Sequence, residues 1–431
     1  MKPLIVASTR PELIKLSPVM REFDRRGIKY VFATTGQHYD KLLFKTFINE
    51  LELREPDYDI KVGSGSQAYQ TSLAMVELEK IMEREKPSVV IAEGDTNSVL
   101  STTLAAVKLH MPAAHVEAGL RSYDRNMPEE INRIVADHCS EVLFAPTEKA
   151  ALNLINEGIQ SKKIHIVGNT IVDATLQNLA IARRESRILE KFPNEYLILT
   201  LHRAENVDSY KTLKGIVNAL TKIKENIIFP AHPRTKKMLQ KFKLFDMLKK
   251  KKNLFLIQPL GYLDFVLLLG RAKAVLTDSG GIQEEAVILK VPCITLRNTT
   301  ERPETVEVGG NIIAGIDGSK ILEKVNLVLN DRELYKKMRR AKNPFGDGRT
   351  GKRIVKILLE KHEKGELKIS SPDFTQSFWR REFIAVDSKL DSKKIKNLNF
   401  DVLKIIENGK EKYPYEDAKL KRGQVIEILR R

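Results

Sequence analysis

Only two cysteines occur in the 431 residues, Cys139 and Cys293, both in apolar-flanked runs and not spaced as CxxC. That excludes a disulfide framework and a cysteine zinc site; two buried free thiols in a reducing compartment are expected. Aromatic residues make up 6% of the chain, and no basic–aromatic interleaving of the RNA-binding kind occurs. The formal charge of +17 is spread along the chain, so it reads as a solvated basic surface and no nucleic-acid partner is expected. Long hydrophobic runs are missing too. The most apolar segment, 261–276, is broken by Asp264, Arg271 and Lys273, which argues against membrane insertion. MKPLIVASTRPE enters a strand at once, leaving no room for the apolar core of a signal peptide, and a cytoplasmic location is expected. Neither half has GxGxxG after its first strand, and HExxH, a Walker loop and clustered metal ligands are absent. No nicotinamide cofactor and no metal are expected.

What is present is a repeated alternation of short apolar strands and helices. Strands are expected at 4–7, 30–33, 89–92, 111–114, 142–145 and 164–167. They resume at 196–201, 227–231, 254–257, 274–277 and 292–296. That rhythm predicts an α/β protein with doubly wound parallel sheets. The length exceeds one ordinary core and calls for two domains and an appendage. The boundaries read as 1–172, 173–345, a helical segment at 346–365 and an extension at 366–431. The extension shows little periodicity before 399–408. A small accessory module, a partner-binding arm and a disordered extension all stay open, with disorder or a loosely docked helix favoured, and no function is assigned to it.

Polar residues gather just after the strands, where open α/β sheets bind their ligands. HVEAGLRSYDRNMPEEINR, at 115–133, interleaves Glu117, Asp124, Glu129 and Glu130 with Arg121, Arg125 and Arg133. Such interleaving separates carboxylate pKa values for proton work. Arg10 and Lys15 flank a helix start with Pro11 in its first turn, which reads as an anion site with free N–H groups. In the second half, Ser279-Gly280-Gly281 lets backbone amides approach phosphate, Glu285 suits a ribose diol, and Arg302 adds a cation for a diphosphate.

The stretches STRPELIKLSPV, TGQHYD, EGDTNS, HVEAGLRS, MPEEINR, VGNTIVDA, LHRAEN, HPRT, TDSGGIQEEA, TERPETVEVG and NPFGDGRTGKRIV occur in order over residues 1–362. Together they resemble the non-hydrolysing UDP-N-acetylglucosamine 2-epimerase family. The resemblance implies two Rossmann-like domains of GT-B type with the active site in the cleft between them, and a C-terminal helix crossing back to the first domain. It implies interconversion of UDP-N-acetylglucosamine and UDP-N-acetylmannosamine, by elimination of UDP to a 2-acetamidoglucal and re-addition. It gives acid–base roles to Asp95, Glu117 and Glu129, and departure or return of the diphosphate to His202. It gives UDP to Arg10, Lys15, His232, Ser279, Gly280, Gly281, Glu285 and Arg302. Gln37 and His38 match part of a regulatory Gln-His-Arg run whose arginine is Tyr39 here. A homodimer serving surface polysaccharide or glycan synthesis is also implied. Relatives with similar loops act on a UDP-diacetamido-uronic acid, which stays open as the alternative substrate; a GT-B glycosyltransferase shares the fold. Bacterial members usually read GTRPE, HGDT and GHRRE where this chain has STRPE, EGDT and LHRAE.

Overall fold

The computed structural model describes residues 1–36, 41–370 and 380–430, with the side chains at 41–44, 380 and 430 left aside. Gln37 and His38 lie outside the described residues. The chain forms two compact units, one of residues 1–44, 53–170 and 349–431, the other of residues 45–52 and 171–348.

The first unit holds a seven-stranded sheet of β1 (Pro3–Ala7), β2 (Val31–Thr34), β3 (Tyr58–Asp59), β4 (Val89–Glu93), β5 (Ala113–Val116), β6 (Val142–Ala145) and β7 (Ile164–Ile166). The order is β3-β2-β1-β4-β5-β6-β7, and every pairing is parallel. β1 and β4 are buried along their whole length, which explains why they read as unbroken apolar runs: helices cover both faces of a parallel sheet. The two-residue edge strand β3 was not foreseen, being too short to carry a period. The helix Thr350–Glu363 packs on the helix Arg10–Arg25 so closely that a side chain at Gly351 would meet the Pro18 carbonyl at 2.8 Å.

The second unit repeats the plan with β8 (Leu197–Thr200), β9 (Ile227–Pro230), β10 (Leu254–Ile257), β11 (Ala274–Thr277), β12 (Cys293–Thr295) and β13 (Asn311–Ile313). The order β10-β9-β8-β11-β12-β13 is again parallel throughout. Alternate residues feed opposite faces: Leu197, Leu199 and Leu276 join one buried cluster, Tyr196, Ile198 and Val275 the other. β13 had no sequence forecast, since its three residues follow a Gly-Gly turn.

The extension departs from the disorder or docked helix favoured for it and is a small folded module, one of the readings left open. It is an antiparallel sheet of β14 (Arg380–Ala385), β15 (Asp401–Glu407), β16 (Lys410–Lys412) and β17 (Val425–Arg430), in the order β14-β17-β15-β16. Val386, Val402, Ile405, Leu420, Ile426 and Ile428 form its own core. Its period was hidden for two reasons. A bulge between Val402 and Lys404 shifts the alternation, and Lys404 and Glu427 are buried charges paired at 3.1 Å. Cys293 is buried, but Cys139, the last residue of the helix Pro128–Cys139, is only half-buried. Among the described residues no helix is long and apolar enough to cross a membrane.

Candidate functional site

In the first unit the polar groups follow the C-terminal ends of β1, β4 and β5. Glu93, the last residue of β4, is fully buried. Its Oε1 lies 3.1 Å from Lys15 Nζ, and the same ammonium donates to Glu117 Oε2. Asn169 Nδ2 donates to the other Glu117 oxygen at 2.9 Å. Burial pushes the Glu93 carboxyl well above the usual carboxylate range; Lys15 opposes this and Glu117 adds to it. Glu117 sits at φ +70°, a strained value for a residue with a Cβ.

Asp95 accepts from Arg133 through Nε at 3.0 Å and Nη2 at 2.6 Å, and Arg133 also holds Glu130 at 2.7 Å. Asp95 and Glu129 line one cavity of about 220 Å³ with Ser8, Thr9, Gln70 and Asn132. Glu129 is exposed in the first turn of the helix Pro128–Cys139.

A buried pair fixes both carboxylate loops. Asp137 accepts from the His115 ring at 2.7 Å and from Gly119 N at 3.1 Å, while the other ring nitrogen of His115 meets the Gly94 carbonyl at 2.8 Å. Gly94 precedes Asp95, and Gly119 follows Glu117 by two residues. Burial pulls the His115 pKa down, but Asp137 and the Gly94 carbonyl outweigh it, so the net shift is upward. Arg121 completes the charge balance on Asp137 at 2.7 Å.

The anion site expected at the first helix start is filled from within. Glu12 accepts from the N–H groups of Ser8 and Thr9 and from the Ser8 hydroxyl, closing a capping box on Thr9. Lys15 turns to carboxylates instead. Arg10 is exposed at the first position of the helix.

The second unit carries the remaining residues. Asp278, fully buried after β11, accepts from the backbone N–H of His202 at 2.9 Å and of Arg203 at 2.9 Å, and from Asn206 at 3.0 Å. His202 Nδ1 lies 2.9 Å from Asp278 Oδ1. Burial raises the Asp278 pKa, yet the His202 contact and these N–H bonds more than offset it and hold it below the ordinary range. The His232 ring stands 5.8 Å from that of His202 and accepts from Arg234 N, which assigns it a neutral form. Burial and the neighbouring His202 and Arg234 also lower its pKa.

Ser279 stands at the N-cap position of the helix Gly280–Ile288 without a side-chain bond to its first turn, and a Cβ at Gly281 would meet nothing within 4 Å, so the helix start is open to an approaching group. One turn in, Glu285 is buried, accepts from Tyr262 OH at 2.8 Å, and is pushed up by that burial to about 7. Arg302 Nε pairs with the buried Glu284 at 2.7 Å.

Sequence reasoning assigned no role to Glu93, His115, Asp137, Tyr262, Glu284 or Asp278. Glu93 and Asp278 had a readable signal, since each is an acidic residue directly closing an apolar strand. The pairings of the others join residues far apart in the chain.

Two parallel sheets, one bearing a carboxylate set and the other a Gly-Gly helix start beside paired histidines, define a two-domain α/β enzyme of GT-B type. The family model for UDP-N-acetylglucosamine 2-epimerase matches residues 21–359, and the chain belongs to that family, an isomerase of the epimerase class. The UDP-N-acetylglucosamine 2-epimerase of Methanocaldococcus jannaschii is 53% identical over 367 residues, covering 83% of this chain and 99% of its own. A crystal structure of the M. jannaschii UDP-GlcNAc 2-epimerase in complex with UDP-GlcNAc and UDP matches with TM-score 0.73 and 52% identity. It covers 84% of this chain and 100% of its own. The UDP-2,3-diacetamido-2,3-dideoxy-D-glucuronate 2-epimerase of Pseudomonas aeruginosa is 38% identical, covering 84% of this chain and 100% of its own.

Proposed function

We propose that this enzyme interconverts UDP-N-acetylglucosamine and UDP-N-acetylmannosamine without net hydrolysis. The observation that carries the reading is the carboxylate set of the first unit. Asp95 and Glu129 share one polar cavity, while Glu117 is held by Lys15 and Asn169, so acid–base groups exist in different environments. The proton at C2 is not acidic, because no carbonyl adjoins it. A carboxylate removes it as the C1–oxygen bond breaks; the pair forms the C1–C2 double bond of a 2-acetamidoglucal, and UDP leaves with the other pair. In the return step a carboxylic acid delivers a proton to the opposite face of C2 and a UDP oxygen adds to C1. Asp95, Glu117 and Glu129 supply these groups.

His202, oriented by Asp278, assists departure and return of the diphosphate. Ser279, Gly280 and Gly281 offer amides to phosphate, with His232, Arg302 and Arg10 as further UDP ligands and Glu285 on the ribose hydroxyls. Lys15 supports the charge of Glu117. The enzyme works as a cytoplasmic homodimer and supplies N-acetylmannosamine-type sugars for surface polysaccharide or glycan, a reading supported by family membership.

The test is proton NMR of the protein with UDP-N-acetylglucosamine in deuterated water. UDP-N-acetylmannosamine carrying deuterium at C2 is the expected product. Free N-acetylmannosamine with UDP would mean a hydrolysing enzyme. Turnover only of UDP-2,3-diacetamido-2,3-dideoxy-D-glucuronate would move the substrate to the one named for the P. aeruginosa relative. Silence with both sugars would overturn the epimerase reading.

A further inference from the structure

We propose that the C-terminal sheet of residues 380–430 is a brace that holds the Glu117 loop in its working conformation, acting through the helix Glu148–Asn156. The extension lies beyond the segment matched by the family model, so the family assigns it no role. The geometry points to one.

The sheet is fixed to that helix along its length. Leu403, Tyr413 and Leu429 join one apolar cluster with Ala150, Ala151, Leu154 and Ile155, and Ala118, next to Glu117, belongs to the same cluster. Polar ties surround it. Arg381 Nη2 donates to the Ile155 carbonyl at 3.1 Å, Lys404 Nζ reaches Asn156 Oδ1 at 3.2 Å, and Tyr413 N donates to Glu148. Lys404 is itself held between Glu411 at 2.6 Å and Glu427 at 3.1 Å, so its placement is set by the sheet.

The other side of the helix seats the loop. Gly119, at φ +81°, lies so near the helix that a Cβ there would stand 2.2 Å from the Ala150 carbonyl oxygen. Asn153 donates to the Gly119 carbonyl at 2.9 Å and accepts from Tyr123 OH at 3.0 Å. Arg121 pairs with Glu157, just past the helix end, at 2.6 Å. Backbone contacts this close transmit any shift of the helix to the loop, because a packed interior does not deform continuously. Glu117, two residues before Gly119, sits in left-handed backbone that persists only where its surroundings over-determine it. The sheet supplies part of that constraint.

The brace rests on the proposed function only for calling the Glu117 loop catalytic, and its first readout is independent of turnover. Full-length Leu403→Asp places a charge between sheet and helix; Leu403→Met is the conservative control, and Leu403→Ala is the milder variant if Leu403→Asp does not fold. Peptide-level hydrogen exchange is measured across the chain, together with kcat and KM. The expected result is faster exchange at 117–133 as well as 401–407, no change in the second unit, and a fall in kcat of up to about 10²-fold with KM held. Leu403→Met restores both. Faster exchange at 401–407 with 117–133 and kcat unchanged would overturn the brace. If the natural protein turns over no sugar, the proposed function fails while the exchange data still decide the brace.

Discussion

Lys15 is shared between two acids of the first unit: its ammonium lies 3.1 Å from Glu93 Oε1 and donates to Glu117 Oε2. Burial pushes the Glu93 carboxyl well above its ordinary range, with Lys15 opposing the shift and Glu117 adding to it. This has a definite sign. An acid whose folded pKa is raised by burial contributes stability that is complete below the unfolded carboxyl value and is lost as pH rises through the folded one. Glu93→Gln removes that titration and keeps the shape. The melting temperature of the variant relative to the natural protein should climb as pH is raised from about 5. A difference that stays flat or falls would mean that Glu93 is ionised in the fold.

Asp95 Oδ2 accepts from both Nε and Nη2 of Arg133, so two charged donors converge on one carboxylate oxygen. Asp95→Asn should lower kcat by about 10²–10⁴-fold, the range for removing a positioned acid–base group, with little change in KM. Arg133→Lys keeps the charge and loses the paired Nε and Nη2 donors, so it should lower kcat less and spare UDP affinity. Steady-state kinetics on both variants checks the ranking.

How much of this was legible follows from the distances along the chain. β1 and β4 were readable because burial on both faces turns a parallel strand into a plain apolar run. The capping box between Thr9 and Glu12 was equally local, but the adjacent Arg10 and Pro11 invited an anion-site reading in its place. Lys15 lies 102 residues from Glu117, and His115 lies 22 from Asp137; no local period records such pairs. β15 escaped because both its faces are covered, one by its own core and one by the helix Glu148–Asn156, and because a bulge shifts its alternation.

Asp278 gathers two backbone N–H groups, the Asn206 amide and the His202 ring on one buried carboxylate. Asp278→Asn turns one acceptor into a donor facing donors. The unfolding free energy should drop by about 2–3 kcal/mol, since bonds to a charged acceptor are lost and buried donors are left unmatched. A fall in kcat of about 10²-fold is expected with it, because His202 loses its orienting partner. Denaturant melts separate the two effects: His202→Asn should match the kinetic loss and keep nearly all of the stability.

Glu285 offers the pH test in the second unit. Burial raises its pKa to about 7, and Tyr262 OH moderates the rise by donating to it. A carboxylate accepts ribose hydroxyls more strongly than a neutral acid, so UDP affinity should grow between about pH 6 and 8 as Glu285 ionises. Glu285→Gln should weaken UDP binding by about tenfold, equal to about 1.4 kcal/mol, and leave only the titration of the phosphates themselves. Calorimetric titration of UDP into both proteins across that range gives the comparison. Stability carries the opposite sign: the raised pKa makes the natural protein lose stability as pH rises from the unfolded carboxyl value to about 7, so the Gln variant should gain on it between about pH 4.5 and 7 and hold level above. Parallel pH curves for UDP binding to the two proteins would remove Glu285 from the ribose contact.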